Sequence, residues 1–274
     1  MQYLSLKLSE VADTFMQVLA PDIVPFPSLI SLTLESFYLY DDDVLFRGNS
    51  ASLEQLYILI DRDTVLKLNR LGVFKNRVKA LQNVYLSEEY DTEDLSRALK
   101  AELDTFLCNL MCTVHKVVSG TVSTTKYLVG ASQPQHDFKN IKSLDTSDSP
   151  LSLHDTMCLL MALPALTILK CGTNGLGSGF AHVSMDELPD YITSSYNEAG
   201  RFLNAWKVTS FNSESQSLDV EYVMLLALAC PKLHRVMLIK SVIPDFSARI
   251  SEAIHSEPYR KYASQLGRLL QVLY

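Results

Sequence analysis

Apolar residues recur along the chain in a fixed spacing, L-x-x-L-x-L, where L stands for any apolar side chain. Clear copies are Leu29, Leu32, Leu34; Leu53, Leu56, Ile58; and Leu81, Val84, Leu86. Three more follow at Leu166, Leu169, Cys171, at Leu203, Trp206, Val208, and at Leu233, Val236, Leu238. Met1, Leu4 and Leu6 fit the same template, and weaker copies sit near Val114 and Val117 and at Ile141 to Leu144. The middle positions are 4, 32, 56, 84, 117, 141, 169, 206 and 236, in steps of 24 to 37 residues. The closing L-x-L of each copy has the period of a strand with one face buried. Between copies the period becomes three and four. Leu95, Leu99, Leu103, Phe106, Leu107 and Leu110 predict a helix with one apolar face, capped by Asp91 or Thr92. LSLHDTMCLLMALPAL predicts another that stops at Pro164, and DVEYVMLLALACPKL a third from near Asp219 to Pro231.

One strand and one helix cannot bury their own apolar faces, so neighbouring units must stack. The steps lie in or near the 20–29 residues of leucine-rich repeats. The predicted fold is therefore α/β: a leucine-rich-repeat solenoid of about nine irregular repeats over residues 1–243, with a curved parallel sheet on one face and helices on the other. PDFSARISEAIHSEPYRKYASQLGRLLQVLY predicts two short helices, which make residues 244–274 a C-terminal helical cap. Phe246, Ile250 and Ile254 line one of them; Leu266, Leu269, Leu270 and Leu273 line the other. The chain opens inside a copy at Met1, so the expectation is either a preceding region or an exposed first strand. Within each copy the residue between the two inward strand positions points outward. That row reads Ser5, Thr33, Tyr57, Tyr85, Val118, Lys170, Lys207 and Met237. Tyr and Met are favoured contact residues, so Thr33, Tyr57, Tyr85, Lys170, Lys207 and Met237 form the candidate protein-contact ladder, Tyr57 and Tyr85 foremost.

Composition narrows the partners. The 274 residues are 47% apolar and 20% charged, which fits an ordered protein, and the net charge of −7 disfavours nucleic acid and anionic membrane. Basic residues gather between Arg62 and Lys79 and acidic ones between Glu88 and Asp104, as on solvated repeat edges. No apolar run reaches the ~18 residues of a membrane span. MQYLSLKLSEV lacks the apolar core of a signal peptide, so a cytoplasmic or nuclear protein is expected, with its five cysteines reduced. Cys108 and Cys112 fall in an apolar run and are expected as buried thiols, as are Cys158, Cys171 and Cys230. No second Cys or His pair offers metal-ligand spacing.

Chemistry-bearing motifs are weak. GTNGLGSG (172–179) follows a strand but has neither the G-K-[ST] ending nor G-x-G-x-x-G, so a flexible insertion is the simpler reading. Asp41, Asp42 and Asp43 lack the spaced oxygens of a Ca²⁺ loop and suit a helix cap. His154 and Asp155 are adjacent on a helix and do not face each other. With no G-x-S-x-G or H-E-x-x-H, the expectation is a non-enzyme without cofactor, metal or small-molecule ligand, whose partner is another protein.

At CPKLHRVML, LPALTILKC and FPSLISLTL the chain resembles the C-terminal repeats of F-box leucine-rich-repeat proteins. DDDVLFRGNSASLEQL, ELPDYITSSYNEAGRF and VMLLALACPKL look closer still to a group of leucine-rich-repeat proteins from early-diverging fungi, over most of the chain from Phe26 onward. The resemblance implies a scaffold that holds protein partners. It also implies, as the alternative, the substrate-recognition part of an SCF-type ubiquitin ligase whose F-box lies outside this chain.

Overall fold

A strand whose inward residues are mostly apolar is most stable when its neighbours present the same row, and the described strand pairs all run parallel with their middle inward residues in register. The computed structural model describes residues 2–7, 27–35, 52–60, 62–70, 72–73, 78, 80–88, 97–119, 122–130, 138–198, 206–213, 219–238 and 245–270. Asp41 to Asp43, Asp91, Thr92, Leu95, Leu203 and Leu273 lie outside them. The chain divides into two compact units, Met1–Tyr127 and Leu128–Tyr274.

The first unit holds β1 (Tyr3–Lys7), β2 (Ser31–Glu35), β3 (Gln55–Ile60), β4 (Asn83–Glu88) and β5 (Lys116–Ser119), paired in chain order. Leu32 pairs with Leu56, Leu56 with Val84 and Val84 with Val117, and all four are fully buried. The leading positions Leu29, Leu53, Leu81 and Val114 are buried too. Helices α1 (Arg62–Arg70) and α2 (Arg97–Met111) pack on each other. Val65 and Leu68 of α1 and Leu103, Phe106, Leu107, Leu110 and Met111 of α2 are buried. Asn69 Nδ2 donates to the Glu102 carbonyl (2.7 Å) and carboxylate (3.0 Å), tying the two helices. Helix α3 (Val122–Gly130) spans the boundary between the units.

The second unit holds β6 (Ser143–Leu151), β7 (Ile168–Thr173), β8 (Ser210–Ser213) and β9 (Arg235–Leu238). Its helices are α4 (Leu153–Ala162), α5 (Leu188–Glu198), α6 (Val220–Ala229), α7 (Phe246–His255) and α8 (Ala263–Leu269). Its inward row is Leu144, Leu169, Phe211 and Val236, all buried. This corrects the sequence reading at two places. Leu144 rather than Ile141 is the middle residue, and β8 is built on Val208, Phe211 and Ser213 rather than Leu203, Trp206 and Val208. The third inward position of β6, β7 and β8 is Thr146, Cys171 and Ser213, each fully buried, while β9 keeps Leu238, so the apolar template breaks where small polar side chains suffice. Helix α6 is buried at every position but Glu221, because α4, α5, α7 and α8 all pack on it. The two helices expected here have their predicted bounds to within two residues: α4 ends at Ala162, ahead of Pro164, and α6 runs from the N-cap Asp219 to the C-cap Cys230, ahead of Pro231.

A main-chain device recurs between strands. One carbonyl just ahead of a strand accepts two successive N–H groups from the next segment. Gln2 O receives Ile30 N (2.8 Å) and Ser31 N (3.0 Å); Ile30 O receives Glu54 N (2.9 Å) and Gln55 N (3.0 Å). Glu54 O and Gln82 O repeat it in the first unit, and Lys142 O, Thr167 O and Thr209 O in the second. Hydroxyls reinforce some forks, as where Thr167 Oγ1 donates to Lys142 O (2.9 Å).

The sheet of the second unit carries a flaw. The β6–β7 register shifts between Thr146 and Leu151. The hydroxyls of Thr146, Ser149 and Thr173 are buried there with no hydrogen-bond partner among the described residues. An unpaired buried hydroxyl costs about 1–3 kcal/mol. Thr146→Val is therefore expected to raise stability by about 1 kcal/mol, read as a higher urea midpoint. A lower midpoint would mean that the hydroxyl has a solvent partner.

At the C-terminus, α7 and α8 are joined by a 3-10 turn, Tyr259–Tyr262, after a cis Glu257–Pro258 bond. Phe246, Ile250, Leu266 and Leu269 are buried as expected. Tyr262 OH donates to Asp190 (2.9 Å) and meets Thr193 Oγ1 (2.8 Å), and Lys261 pairs with Asp190, so the turn is fastened to α5. Lys261 and then Tyr262 hold the Asp190 carboxyl below its usual range.

Candidate functional site

The outward rows of the two units are chemically different. In the first unit Thr33 pairs with Tyr57, Tyr57 with Tyr85, and Tyr85 with Val118, as the candidate ladder expects. Parallel strands lie about 4.8 Å apart, so identical flat side chains in register stack naturally. The Tyr57 and Tyr85 rings do so, with centroids 4.1 Å apart and planes 5° from parallel. Lys116 Nζ stands 5.8 Å from the Tyr85 ring centre, within range of a cation–π attraction. Partial burial and the neighbouring Tyr85 hydroxyl push the Tyr57 phenol up, and Lys116 pulls it the other way. The phenol is therefore neutral near pH 7 and can both donate and accept. Both tyrosines remain half-buried at the surface.

In the second unit the row is Asp145, Lys170, Asn212 and Met237. Lys170 and Met237 take their expected places. Lys207 does not: it is exposed ahead of β8, and Asn212 holds its rung because Phe211 is the buried middle residue. Asp145 was hidden by the Ile141–Leu144 ambiguity. Its carboxylate pairs with Lys170 (3.2 Å) and accepts from Ser147 Oγ (2.6 Å) and Ser147 N (3.1 Å), so the two charges of this row are paired with each other. Ile168 lies one strand step away on the same face, 42% exposed.

The residues weighed for chemistry fall elsewhere. His154 Nε2 and Cys158 Sγ meet at 3.7 Å on one face of α4, where Phe180 covers the imidazole edge-on at 5.8 Å. Asp155 turns away from them. Its carboxylate accepts from Ser152 Oγ (2.6 Å) and Ser152 N, while Ser152 Oγ accepts from Asp155 N (3.0 Å), a complete capping box at the start of α4.

The glycine-rich stretch is hydrogen-bonded to the start of α4. Gly175 O accepts from Leu153 N (2.9 Å) and Leu176 O from His154 N (3.0 Å). The first-turn donors of α4, where an anion would sit, are thus filled by the loop's own carbonyls and the capping box.

Among the thiols, Cys158, Cys171 and Cys230 are buried as expected, but Cys108 is half-buried and Cys112 exposed. The buried face of α2 is set by Leu103, Phe106, Leu107, Leu110 and Met111, which leaves Cys108 on its shoulder and Cys112 past its end. Burial pushes Cys171 up to about 12, with Asp145 adding to it. The buried polar pair Thr156 Oγ1 and Tyr222 OH (2.5 Å) lies beneath, and Tyr222 stacks on Phe211 with centroids 6.1 Å apart. No group of three or more His, Cys, Asp or Glu among the described residues is arranged to hold a metal. No described helix is long and apolar enough to cross a membrane. No protein-family model matches the chain, and no curated protein matches it either.

Proposed function

We propose that the chain is a leucine-rich-repeat solenoid that serves as a non-catalytic scaffold, holding a protein partner on the outward face of its sheet. The stacked Tyr57–Tyr85 pair carries this reading. Aromatic side chains add large contact area at small entropic cost, and a pair already stacked has less freedom to lose on binding. Thr33, Val118 and Lys116 surround it with a methyl, an isopropyl and a cation, a mixed surface suited to a protein rather than a phosphate backbone. The five free thiols favour a reducing compartment, the cytoplasm or nucleus.

The test is affinity capture with mass spectrometry, comparing wild type with Tyr57→Ala/Tyr85→Ala. Aromatic anchors contribute about 1–2 kcal/mol or more each, so recovery of the specific partner should fall at least tenfold. The stack itself contributes only about 0.5–1.5 kcal/mol to the fold, so the variant should melt within a few degrees of wild type. Undiminished capture would refute the ladder as the contact face.

A further inference from the structure

The helical side of the second unit carries a groove of about 370 Å³ that the sheet-face reading does not use. It opens between α6 and α7, bounded by the segment ahead of α5 and the turn after α7. Its walls are the thioethers of Met185 and Met224 and the ring of Tyr259. Met185 is 47% exposed, so its side chain is open to a ligand from solvent.

Four carboxylates line the same groove. Glu221 is matched by Arg249 at 2.6 Å. Asp186, Glu252 and Glu257 have no ion-pair partner among the described residues. The negative field is felt inside: burial first, then Glu221 and Asp186, pushes the Tyr259 phenol up. Carboxylates spread around a groove, with no metal-ligating cluster among the described residues, suit an elongated organic cation better than a metal ion.

We propose that this groove docks a basic segment of a partner protein. A lysine or arginine stem lies along the Met185 and Tyr259 wall, and its cationic head sits among Asp186, Glu252 and Glu257. Both side chains bury an aliphatic stem while keeping the charge in a polar rim, which matches the two halves of the lining. An aromatic ring beside the cation adds to the attraction. The volume exceeds one side chain, so an apolar neighbour in the segment covers Met185. A bare polyamine has no such group.

The full chain is titrated at low salt with a short dye-labelled peptide of alternating arginine and leucine, read by fluorescence anisotropy. Saturable binding that weakens with salt is expected. Glu252→Gln/Glu257→Gln should weaken it about tenfold, and Met185→Ser about threefold. Glu54→Gln/Asp148→Asn removes two exposed carboxylates outside the groove and should change it less than about twofold. Equal losses in the two double variants would overturn the site, as would the absence of saturation. Displacement by spermine as effective as by unlabelled peptide would overturn the protein segment as occupant.

Discussion

Replacing Phe211 by alanine is expected to destabilise the second unit by about 3–5 kcal/mol. The ring is fully buried on the inward row between Leu169 and Val236 and stacks on Tyr222. Its removal leaves a cavity under a tyrosine whose hydroxyl is already fixed by Thr156, so the surroundings cannot collapse to fill it. The same substitution at Lys207, exposed and outside β8, should stay within about 0.5 kcal/mol. Urea denaturation of both variants decides the register of β8. If Phe211→Ala were as mild as Lys207→Ala, the strand would not be centred on Phe211.

Gly177→Ala should cost about 2–4 kcal/mol through two separable causes. Gly177 has φ +86° and ψ 167°, a region almost closed to side chains. A Cβ there would also stand 2.5 Å from Ser152 Oγ, the atom that caps α4. Ser152→Ala alone removes the cap and should cost about 1 kcal/mol. Gly175→Ala faces open space at φ +59° and should cost about 1–2 kcal/mol. Gly177→Ala must therefore exceed both in a denaturation series. Equality with Gly175→Ala would mean that the loop does not need its close seat on α4.

The inward rows were legible in the chain wherever all three template positions are apolar, as in Leu53, Leu56, Ile58 and Leu81, Val84, Leu86. The tyrosine pair followed at once, since a register fixed by buried neighbours fixes the residues between them. Reading failed where the third position is Thr146 or Ser213, because burial in a narrow space tolerates a small hydroxyl that a hydrophobic template discards. Trp206 and Val208 then offered a better-looking copy than Val208, Phe211 and Ser213, and Lys207 displaced Asn212 from the ladder. The acidic groove had no local signature at all. It is assembled from the segments around Met185, Glu221 and Glu257, which lie far apart in the chain. The seat of the glycine loop was equally hidden, since its partners are carbonyls.

The forked carbonyls belong to Gln2, Ile30, Glu54, Gln82, Lys142, Thr167 and Thr209: amide, aliphatic, acid, base and hydroxyl side chains serve equally. Main-chain atoms set the spacing of the rungs, so the identities at these corners are free to drift. A lineage built this way can exchange most of its surface letters while its geometry holds, and kinship in shape should outlast kinship in spelling.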